Sequence, residues 1–488
     1  MMKRSIILMV CLCIFSACRL QISGDIGVQP DIFPDYRDVT VPVNIAPMNF
    51  EMLSEEGLRW RVVIRGVSDS LIIRSDDGLI SFRMGQWRRL LQENAGGQLS
   101  VEVLEKREDG WYAYLPFIVH ISEDEIDPYI AYRLIPPGYS LWREMSIRQR
   151  NLETFREKTI YSNTQGKGNC VNCHSFCDRD PDRMLFHMRA ELAGTYIFRD
   201  GMQEKLDTKT DQTISALVYP YWHPSGKFVT FSVNRTNQLL HMTDPNRIEV
   251  FDEASDVTVY DIDNHQIVTS DLLSSESSFE TFPTFSPDGR SLYFCSSKAV
   301  EPMPERYKDV RYSLCRIAFD PETCSFGSKV DTLYNAETLG GSVSFPRISP
   351  DGRHLVFTLS GYGNFSIWHK DADLYLADLQ AGTVKPMTAL NSDDVESYHS
   401  WSSDSRWMVF SSRRDDGHYT KPYISYVDAE GNAHKPFLLP QKDPKKYYGM
   451  LMFSYNIPEF VGDRVDLDGR EIVKLAKTEG TKTGYKRK

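Results

Sequence analysis

The sequence predicts a mainly β protein with several domains, and three observations carry this prediction. The chain has 488 residues, which exceeds the size of one ordinary domain. Its 12% aromatic residues, 30 Gly and 25 Pro favour short strands and turns over long helices. A strand, turn and strand pattern also recurs in the C-terminal half. We therefore expect several small sheets rather than one large core.

Composition and charge exclude some classes of function. The 41% hydrophobic and 25% charged residues are typical of a globular protein and not of a disordered or polytopic membrane chain. The formal net charge is -11, and the one basic cluster is the tail from Lys474 to Lys488. Nucleic acid is therefore not an expected partner.

The first residues have the features of a secretory leader. Lys3 and Arg4 precede an apolar run that is too short for a transmembrane helix, so residues 1–17 are predicted to be a signal peptide. The string FSAC, which ends at Cys18, resembles a bacterial lipobox. This resemblance implies a lipid on Cys18 and anchoring in the periplasm to an envelope membrane, the outer membrane. An ordinary signal peptide with an incidental cysteine is the alternative.

Two segments follow before the chain becomes more informative. Residues 18–39 are polar, without periodicity, and are predicted to form a tether. Residues 40–138 alternate apolar and polar side chains in strand-length runs, which predicts a β-sandwich of six or seven strands. Residues 139–181 are predicted to be a helical linker, because Leu141, Met145 and Leu152 recur at roughly helical spacing.

This linker contains Cys170, Cys173 and His174 as C-x-x-C-H. Two thiols three residues apart can bond to the two vinyl groups of one haem, and the histidine can bind its iron. Chance gives this string on the order of a few times per thousand such chains. The segment resembles the haem-binding site of c-type cytochromes. The resemblance covers these few residues and implies one haem c with His174 as proximal iron ligand.

Other interpretations of the motif remain open. A zinc site would use Cys170, Cys173 and Cys177 with His174 or His187. A redox dithiol and a structural disulfide are further alternatives. For a haem, Met184, His187 and Met188 follow closely enough to be distal ligand candidates. Met145, His223 and an open iron position are the remaining options.

Four repeats organise the C-terminal half. They share a strand, a turn of the Ser-Pro-Asp-Gly type and an aromatic-rich strand, and they lie at 219–234, 281–297, 344–360 and 397–414. Pro fixes the first turn dihedral, Asp bonds back to the backbone, and Gly supplies a positive φ, so each turn joins two adjacent strands. Further strand-like runs after each pair predict four strands per repeat.

A repeated four-stranded sheet closes well as a β-propeller. These repeats resemble the TolB-like propeller repeat, which implies a propeller of five or six blades over residues 182–465. One more blade is predicted to join residues 190–208 to residues 447–460 as a clasp. Residues 466–488 are expected to be a basic tail.

Three functional hypotheses follow. The first is electron transfer by an exported, lipid-anchored haem c protein whose propeller docks a redox partner. The second is a haem-dependent oxidoreductase that uses the propeller funnel. The third is a propeller that binds envelope proteins or glycans, with a structural metal. The sequence contains no hydrolase motif.

Overall fold

A computed structural model describes residues 22–53, 58–67, 69–137 and 143–488. The predicted signal peptide and lipidation site Cys18 lie outside the described residues. Within the described ranges, no helix has both the length and the apolar character needed to cross a membrane.

The described part of the N-terminal region contains ten strands and one helix. These are β1 (Ile22–Asp25), β2 (Ile32–Phe33), β3 (Val39–Pro42), β4 (Phe50–Met52), β5 (Arg59–Arg65), β6 (Ser70–Ser75), β7 (Leu79–Ile80), α1 (Met84–Glu93), β8 (Gln98–Arg107), β9 (Gly110–Ala113) and β10 (Phe117–Ser122). Seven strands form one sheet, and β2, β4 and β7 form a second sheet of three strands. Trp87, Leu90 and Leu91 of α1 are buried in the same core as both sheets.

Two sequence predictions for this region need correction. The predicted tether contains ordered strands, because β1 pairs in parallel with β9 and β2 pairs with β4 through backbone hydrogen bonds that do not require apolar side chains. The predicted sandwich also contains α1, which the sequence analysis did not predict.

Strands β11 to β34 form the second region, which has two short α-helices among its described residues. The first half has β11 (Tyr129–Ile135), β12 (Ser146–Asn151), β13 (Glu157–Ser162), β14 (Val171–Phe176), β15 (Arg183–Met188), β16 (Gly194–Arg199), β17 (Met202–Asp207), β18 (Val218–Trp222), β19 (Phe228–Leu240), β20 (Ile248–Asp261) and β21 (Gln266–Thr269). The second half has β22 (Ser278–Phe285), β23 (Ser291–Lys298), β24 (Ser313–Asp320), β25 (Ser325–Tyr334), α2 (Ala336–Leu339), β26 (Ser342–Ile348), β27 (His354–Ser360), β28 (Asp373–Asp378), β29 (Thr383–Pro386), β30 (Glu396–Trp401), β31 (Trp407–Ser412), β32 (Lys421–Tyr426), β33 (Phe437–Leu438), α3 (Pro444–Met450) and β34 (Ser454–Val461). Short 3-10 turns occupy Asn163–Gln165, Ala190–Leu192, Tyr307–Asp309 and Ser366–Trp368.

These strands form six sheets of four or five strands, and the sheets are arranged in a ring. One strand at the edge of each sheet contacts its counterpart in the next sheet, in the order β14, β18, β22, β26, β30, β34 and back to β14. We call these six the inner strands. A closed ring of antiparallel sheets is the arrangement of a propeller-type fold. The predicted strands and turn of each of the four repeats are confirmed.

The predicted helical linker is wrong in its described part. Residues 146–151, 157–162 and 171–176 are the strands β12, β13 and β14. Both faces of β12 are buried, and its polar residues are satisfied by distant backbone: Gln149 donates to the carbonyl of Val465, and Arg150 donates to that of Pro440. A polar strand with such partners lacks the apolar alternation that identifies strands in a sequence.

The C-terminal strand of the ring closes it, as the sequence predicts, but this strand pairs with a different segment from the predicted one. The C-terminal strand β34 pairs antiparallel with β11, with Tyr129 opposite Val461. It does not pair with residues 190–208, because β16 and β17 in that stretch complete the sheet of β14 and β15. The boundary of the ring region therefore moves from residue 182 to about residue 129.

The predicted basic tail is ordered. It forms α4 (Gly469–Ala476), β35 (Thr481–Lys482) and β36 (Gly484–Arg487). β35 pairs in parallel with the outer strand β17, and β36 pairs in parallel with the outer strand β21. The tail thus covers two sheet edges that would otherwise present unpaired backbone groups.

The two regions share one core rather than being joined by a linker. A single cluster of buried side chains includes Trp60 and Val62 from the first region and Trp407 and Phe437 from the ring. Asp127 adds a polar contact, because its carboxylate accepts hydrogen bonds from the backbone N–H and hydroxyl of Ser403 at 2.8 and 2.6 Å.

Candidate functional site

The C-x-x-C-H motif lies at the start of an inner strand. Cys170 directly precedes β14, while Cys173 and His174 are within it. All three side chains are buried, with exposed fractions of 6%, 6% and 3%. Burial raises the pKa of the Cys173 thiol. Burial, assisted by the nearby Arg133, lowers the pKa of His174 to about 3, so the imidazole is neutral.

Cys173 and His174 occupy positions that recur in every inner strand. Each inner strand has one residue with φ between 48° and 55°: Cys173, Tyr219, Phe282, Phe345, Tyr398 and Ile457. The residue that follows is proline in four strands and histidine in two, His174 and His399. The sequence C-H-S-F in β14 thus corresponds to Y-H-S-W in β30. The repeat itself therefore accounts for His174, although not for the pair of cysteines.

The residues with positive φ pack against one another around the ring. Ring centroids are 4.5 Å apart for Tyr219 and Phe282, 5.6 Å for Phe282 and Phe345, and 4.9 Å for Phe345 and Tyr398. The Cys173 thiol lies beside the backbone of Tyr219, in the same layer. We call these packed residues the aromatic layer.

A cavity of about 710 Å³ opens where the inner strands end. Its lining combines histidines, charged residues, aromatics and the prolines of the repeat turns: Asp127, His174, Ser175, Phe176, Asp178, Arg179, Asp180, Pro181, Pro220, Tyr221, Trp222, Pro224, Phe285, Ser286, Pro287, Phe345, Arg347, Ile348, Pro350, His399, Ser400, Trp401, Ser403, Ile457, Pro458, Glu459, Gly462 and Asp463. This volume lies within the range of about 300–1,000 Å³ that is usual for small-molecule pockets.

Two side chains of opposite charge face this cavity from different inner strands. Arg347 lies near the end of β26 and Glu459 belongs to β34, so β30 lies between them in the ring. No ion pair joins Arg347 to a carboxylate among the described residues. Glu459 accepts a hydrogen bond from the backbone N–H of Phe176 at 3.1 Å. Burial raises the pKa of Glu459 to about 7, against the opposing effects of Arg347 and Arg179.

The two lining histidines have unused hydrogen-bonding capacity. Neither ring nitrogen of His174 has a hydrogen-bond partner of normal geometry. His399 donates from Nε2 to the carbonyl of Val356 at 2.8 Å, and its Nδ1 has no partner. Burial lowers the pKa of His399 to about 3. Both histidines are therefore neutral polar groups in the cavity wall.

The three distal ligand candidates lie on the neighbouring strand. Met184, His187 and Met188 belong to β15 and are buried. Met184 and Met188 pack in a hydrophobic cluster between sheets, and His187 contacts Thr195 Oγ1 at 3.3 Å. None of the three lines the cavity that His174 faces, as far as the described residues define it.

The described residues fit a haem c only in part. A neutral imidazole with free nitrogens suits an axial iron ligand. However, neither Cys170 nor Cys173 is among the described residues that line the cavity beside His174. The cavity beside His174 therefore does not by itself bring the two thiols and the imidazole together. The described residues also contain no group of three His, Cys, Asp or Glu side chains placed to hold a metal ion.

A second polar cluster lies at the opposite end of the inner strands. Ser342 begins β26, accepts a hydrogen bond from Tyr312 N–H and donates one to Gly363, whereas the other end of β26 reaches the cavity. The Asp252 carboxylate there accepts hydrogen bonds from Asn234, Tyr312 and Asn364 at 2.9, 2.8 and 2.6 Å. We call this group of residues the closed end.

A buried carboxylate and histidine complete the closed end. His369 Nε2 lies 2.9 Å from Glu249 Oε2, and the Tyr362 hydroxyl donates to Glu249 Oε1. The carboxylates of Glu249 and Asp252 thus both have side-chain partners, whereas Arg347 and Glu459 in the cavity have no ion-pair partner among the described residues.

The sequence analysis missed Arg347 and Glu459. A signal for them exists, because both follow the proline in their inner strands, as F-P-R-I and I-P-E-F. The equivalent residues in the other inner strands are Ser175, Tyr221, Thr284 and Ser400, all uncharged. Alignment of all six inner strands would have marked these two charges as exceptions to the repeat.

Comparisons with known proteins give no family. No protein-family model matches the sequence, and no curated protein matches it. Similar solved structures include prolyl oligopeptidase B from Galerina marginata, at 8% identity and TM-score 0.33, covering 76% of this chain and 51% of that one. A DUF4784 family protein from Bacteroides caccae has 8% identity and TM-score 0.29, with coverages of 74% and 95%. An endo-arabinase from Bacteroides thetaiotaomicron has 14% identity and TM-score 0.25, with coverages of 53% and 89%.

The chain thus spans about half the length of the prolyl oligopeptidase. All three TM-scores are low, so these similarities carry no argument about function.

Proposed function

We propose that this chain is an exported, lipid-anchored, six-bladed propeller of the TolB-like type, and that its central cavity binds a small polar ligand. The six sheets and their ring of inner strands support the blade number. The signal-peptide features and Cys18 support export and anchoring.

One observation carries the binding proposal: Arg347 and Glu459 line one cavity without forming an ion pair with each other. Removing charged groups from water without a partner costs free energy. This cost is offset if a bound ligand supplies the missing partners of both groups. Trp222 and Trp401 in the same wall provide flat apolar surface for that ligand.

The two histidines of the cavity lining are not arranged to activate a serine. A serine nucleophile is activated by a hydrogen bond between its hydroxyl and a base. Within the described residues, neither His174 nor His399 is hydrogen-bonded to a serine hydroxyl.

The two tryptophans allow a direct test. The full exported chain is titrated with three probes, the dipeptide Ala-Phe, maltose and succinate, and binding is followed by calorimetry and tryptophan fluorescence. We expect at least one probe to bind and to change the fluorescence. That change should be reduced in Trp222→Phe and Trp401→Phe but retained in the control Trp111→Phe, whose side chain lies in the N-terminal sheet. Binding by none of the probes, or a signal lost only in the control, would overturn the proposal.

A c-type haem protein that transfers electrons is the second candidate, and the C-x-x-C-H motif favours it. The test is the reduced haemochrome spectrum of the denatured chain after expression with a cytochrome c assembly system, together with metal analysis. A covalent haem band that disappears in Cys170→Ala would support this candidate. A chain without haem, or with zinc in its place, would exclude it.

A further inference from the structure

The charged groups of the cavity are held apart by the fold. Arg347 and Glu459 each follow a proline, Pro346 and Pro458, and each lies in a paired strand. Proline fixes its own φ, and strand pairing restricts the residues beside it. The two side chains therefore extend from backbone positions that the fold fixes on different inner strands.

The Arg347 guanidinium has a defined orientation, but not all of its N–H donors have a hydrogen-bond partner. Its Cζ lies 4.0 Å from the ring centroid of Phe345 and 5.0 Å from that of Tyr221. One N–H donates to the carbonyl of Pro346 at 2.8 Å. A guanidinium has five N–H donors in a planar fork that matches a carboxylate. Stacking on two rings holds the plane of this fork while most donors stay free of described partners.

Glu459 offers the complementary group. Its Oε1 is held by the backbone N–H of Phe176, which fixes the direction of the carboxyl group. Its Oε2 has no hydrogen bond to any described residue. A ligand ammonium would supply a donor to this oxygen and favour the ionised carboxylate.

Neutral surface connects the two charges. Trp222 donates from Nε1 to the carbonyl of Ser175, and Trp401 donates to that of Arg347, each at 3.2 Å, so both indoles are fixed in the wall. His174, which is 3% exposed and has two unpartnered ring nitrogens, lines the same space. This wall suits the body of a ligand that has an apolar side chain and an amide.

We infer that the cavity binds a zwitterion, namely an amino acid or short peptide with both termini free, whose carboxylate pairs with Arg347 and whose ammonium pairs with Glu459. This inference rests on the proposed function and specifies its ligand class. A ligand with one charge would satisfy only one of the two groups, and a neutral sugar would satisfy neither.

The experiment compares four forms of one probe on the full exported chain by calorimetry: Ala-Phe, N-acetyl-Ala-Phe, Ala-Phe amide and the doubly blocked peptide. We expect each single block to weaken binding about tenfold to hundredfold, because each removes a hydrogen-bonded charge. In Arg347→Gln, Ala-Phe and its amide should bind equally. In Glu459→Gln, Ala-Phe and its N-acetyl form should bind equally.

Matched controls are Arg290→Gln and Glu322→Gln, which change exposed residues outside the cavity and should leave all four affinities unchanged. Far-ultraviolet circular dichroism checks that each variant is folded. Equal affinities for Ala-Phe and the doubly blocked peptide would overturn the inference. If maltose binds in the cavity and Ala-Phe does not, the inference is wrong while the binding proposal stands, and if no probe binds, both are wrong.

Discussion

The two ends of the ring differ in how their acidic and basic side chains are paired. At the closed end, Asp252 accepts three hydrogen bonds and Glu249 pairs with His369. At the cavity, Arg347 and Glu459 face the same space without an ion pair. The closed end is built mainly from β19, β20 and the loops that carry Tyr312, Tyr362 and His369, whereas the cavity is lined by the inner strands and their turns.

This difference in pairing suggests that the closed end contributes to stability and the cavity to ligand binding. A buried carboxylate with all its donors in place holds loops together, and its removal leaves several donors unsatisfied. A half-buried charge without an ion-pair partner costs free energy in the empty protein and recovers it when a ligand binds. We therefore expect substitutions at the two ends to change stability in opposite directions.

The largest effect is expected at the closed end. Asp252→Ala should leave the donors on Asn234, Tyr312 and Asn364 without an acceptor and lower the free energy of unfolding by about 3 kcal/mol. Urea denaturation measures this change. The control Asp211→Ala, at an exposed aspartate, should change it by about 0.5 kcal/mol or less. A small loss in Asp252→Ala would mean that the paired charges do not stabilise the closed end.

The opposite sign is expected at the cavity, and it should depend on pH. The pKa of Glu459 is raised from 4.5 to about 7, so the folded state holds the proton more tightly than the unfolded state. Stability should therefore fall as pH rises between these two values. Glu459→Gln removes this titration. The free energy of unfolding of the variant, compared with that of the parent, should therefore be about 2 kcal/mol higher above pH 7 than at pH 4.5.

Thermal or urea unfolding at several pH values measures this gain, and the half-buried position of Glu459 reduces it from the full linkage value. Glu322→Gln, at an exposed site, should show no such pH dependence. A difference that stays constant with pH would mean that the Glu459 carboxyl is not disfavoured by its site.

The repeats show how much the sequence could predict. The turns at 224–226, 287–289 and 350–352 mark their strand pairs, because Pro, Ser or Asp, and Gly have fixed conformational preferences. Together with the fourth repeat at residues 397–414, whose turn lacks Pro and Gly, local chemistry identifies four of the six inner strands. The closing strand β34 also has the expected place in the chain.

The remaining errors come from distant partners. β12 contains Arg148, Gln149 and Arg150, and its hydrogen bonds reach residues near the C-terminus. β14 has Cys173 at the position where the other inner strands have an aromatic or aliphatic residue, and His174 where most of them have proline. Because of these two substitutions, β14 is not recognised as a repeat from the sequence. The charges of Arg347 and Glu459 lie 112 positions apart in the numbering and meet only in the closed ring.

The smallest effect is expected at His174, and it tests whether this residue belongs to the repeat or to a cofactor site. His174→Pro places at this position the residue that four other inner strands have, so the free energy of unfolding should change by about 1 kcal/mol or less. His399→Pro is the matched control, and it should cost more because His399 donates a hydrogen bond to Val356. Urea denaturation compares the two variants. If His174→Pro unfolds the protein while His399→Pro does not, His174 has a role that its repeat position does not explain, and the axial ligand predicted from the motif becomes the better interpretation.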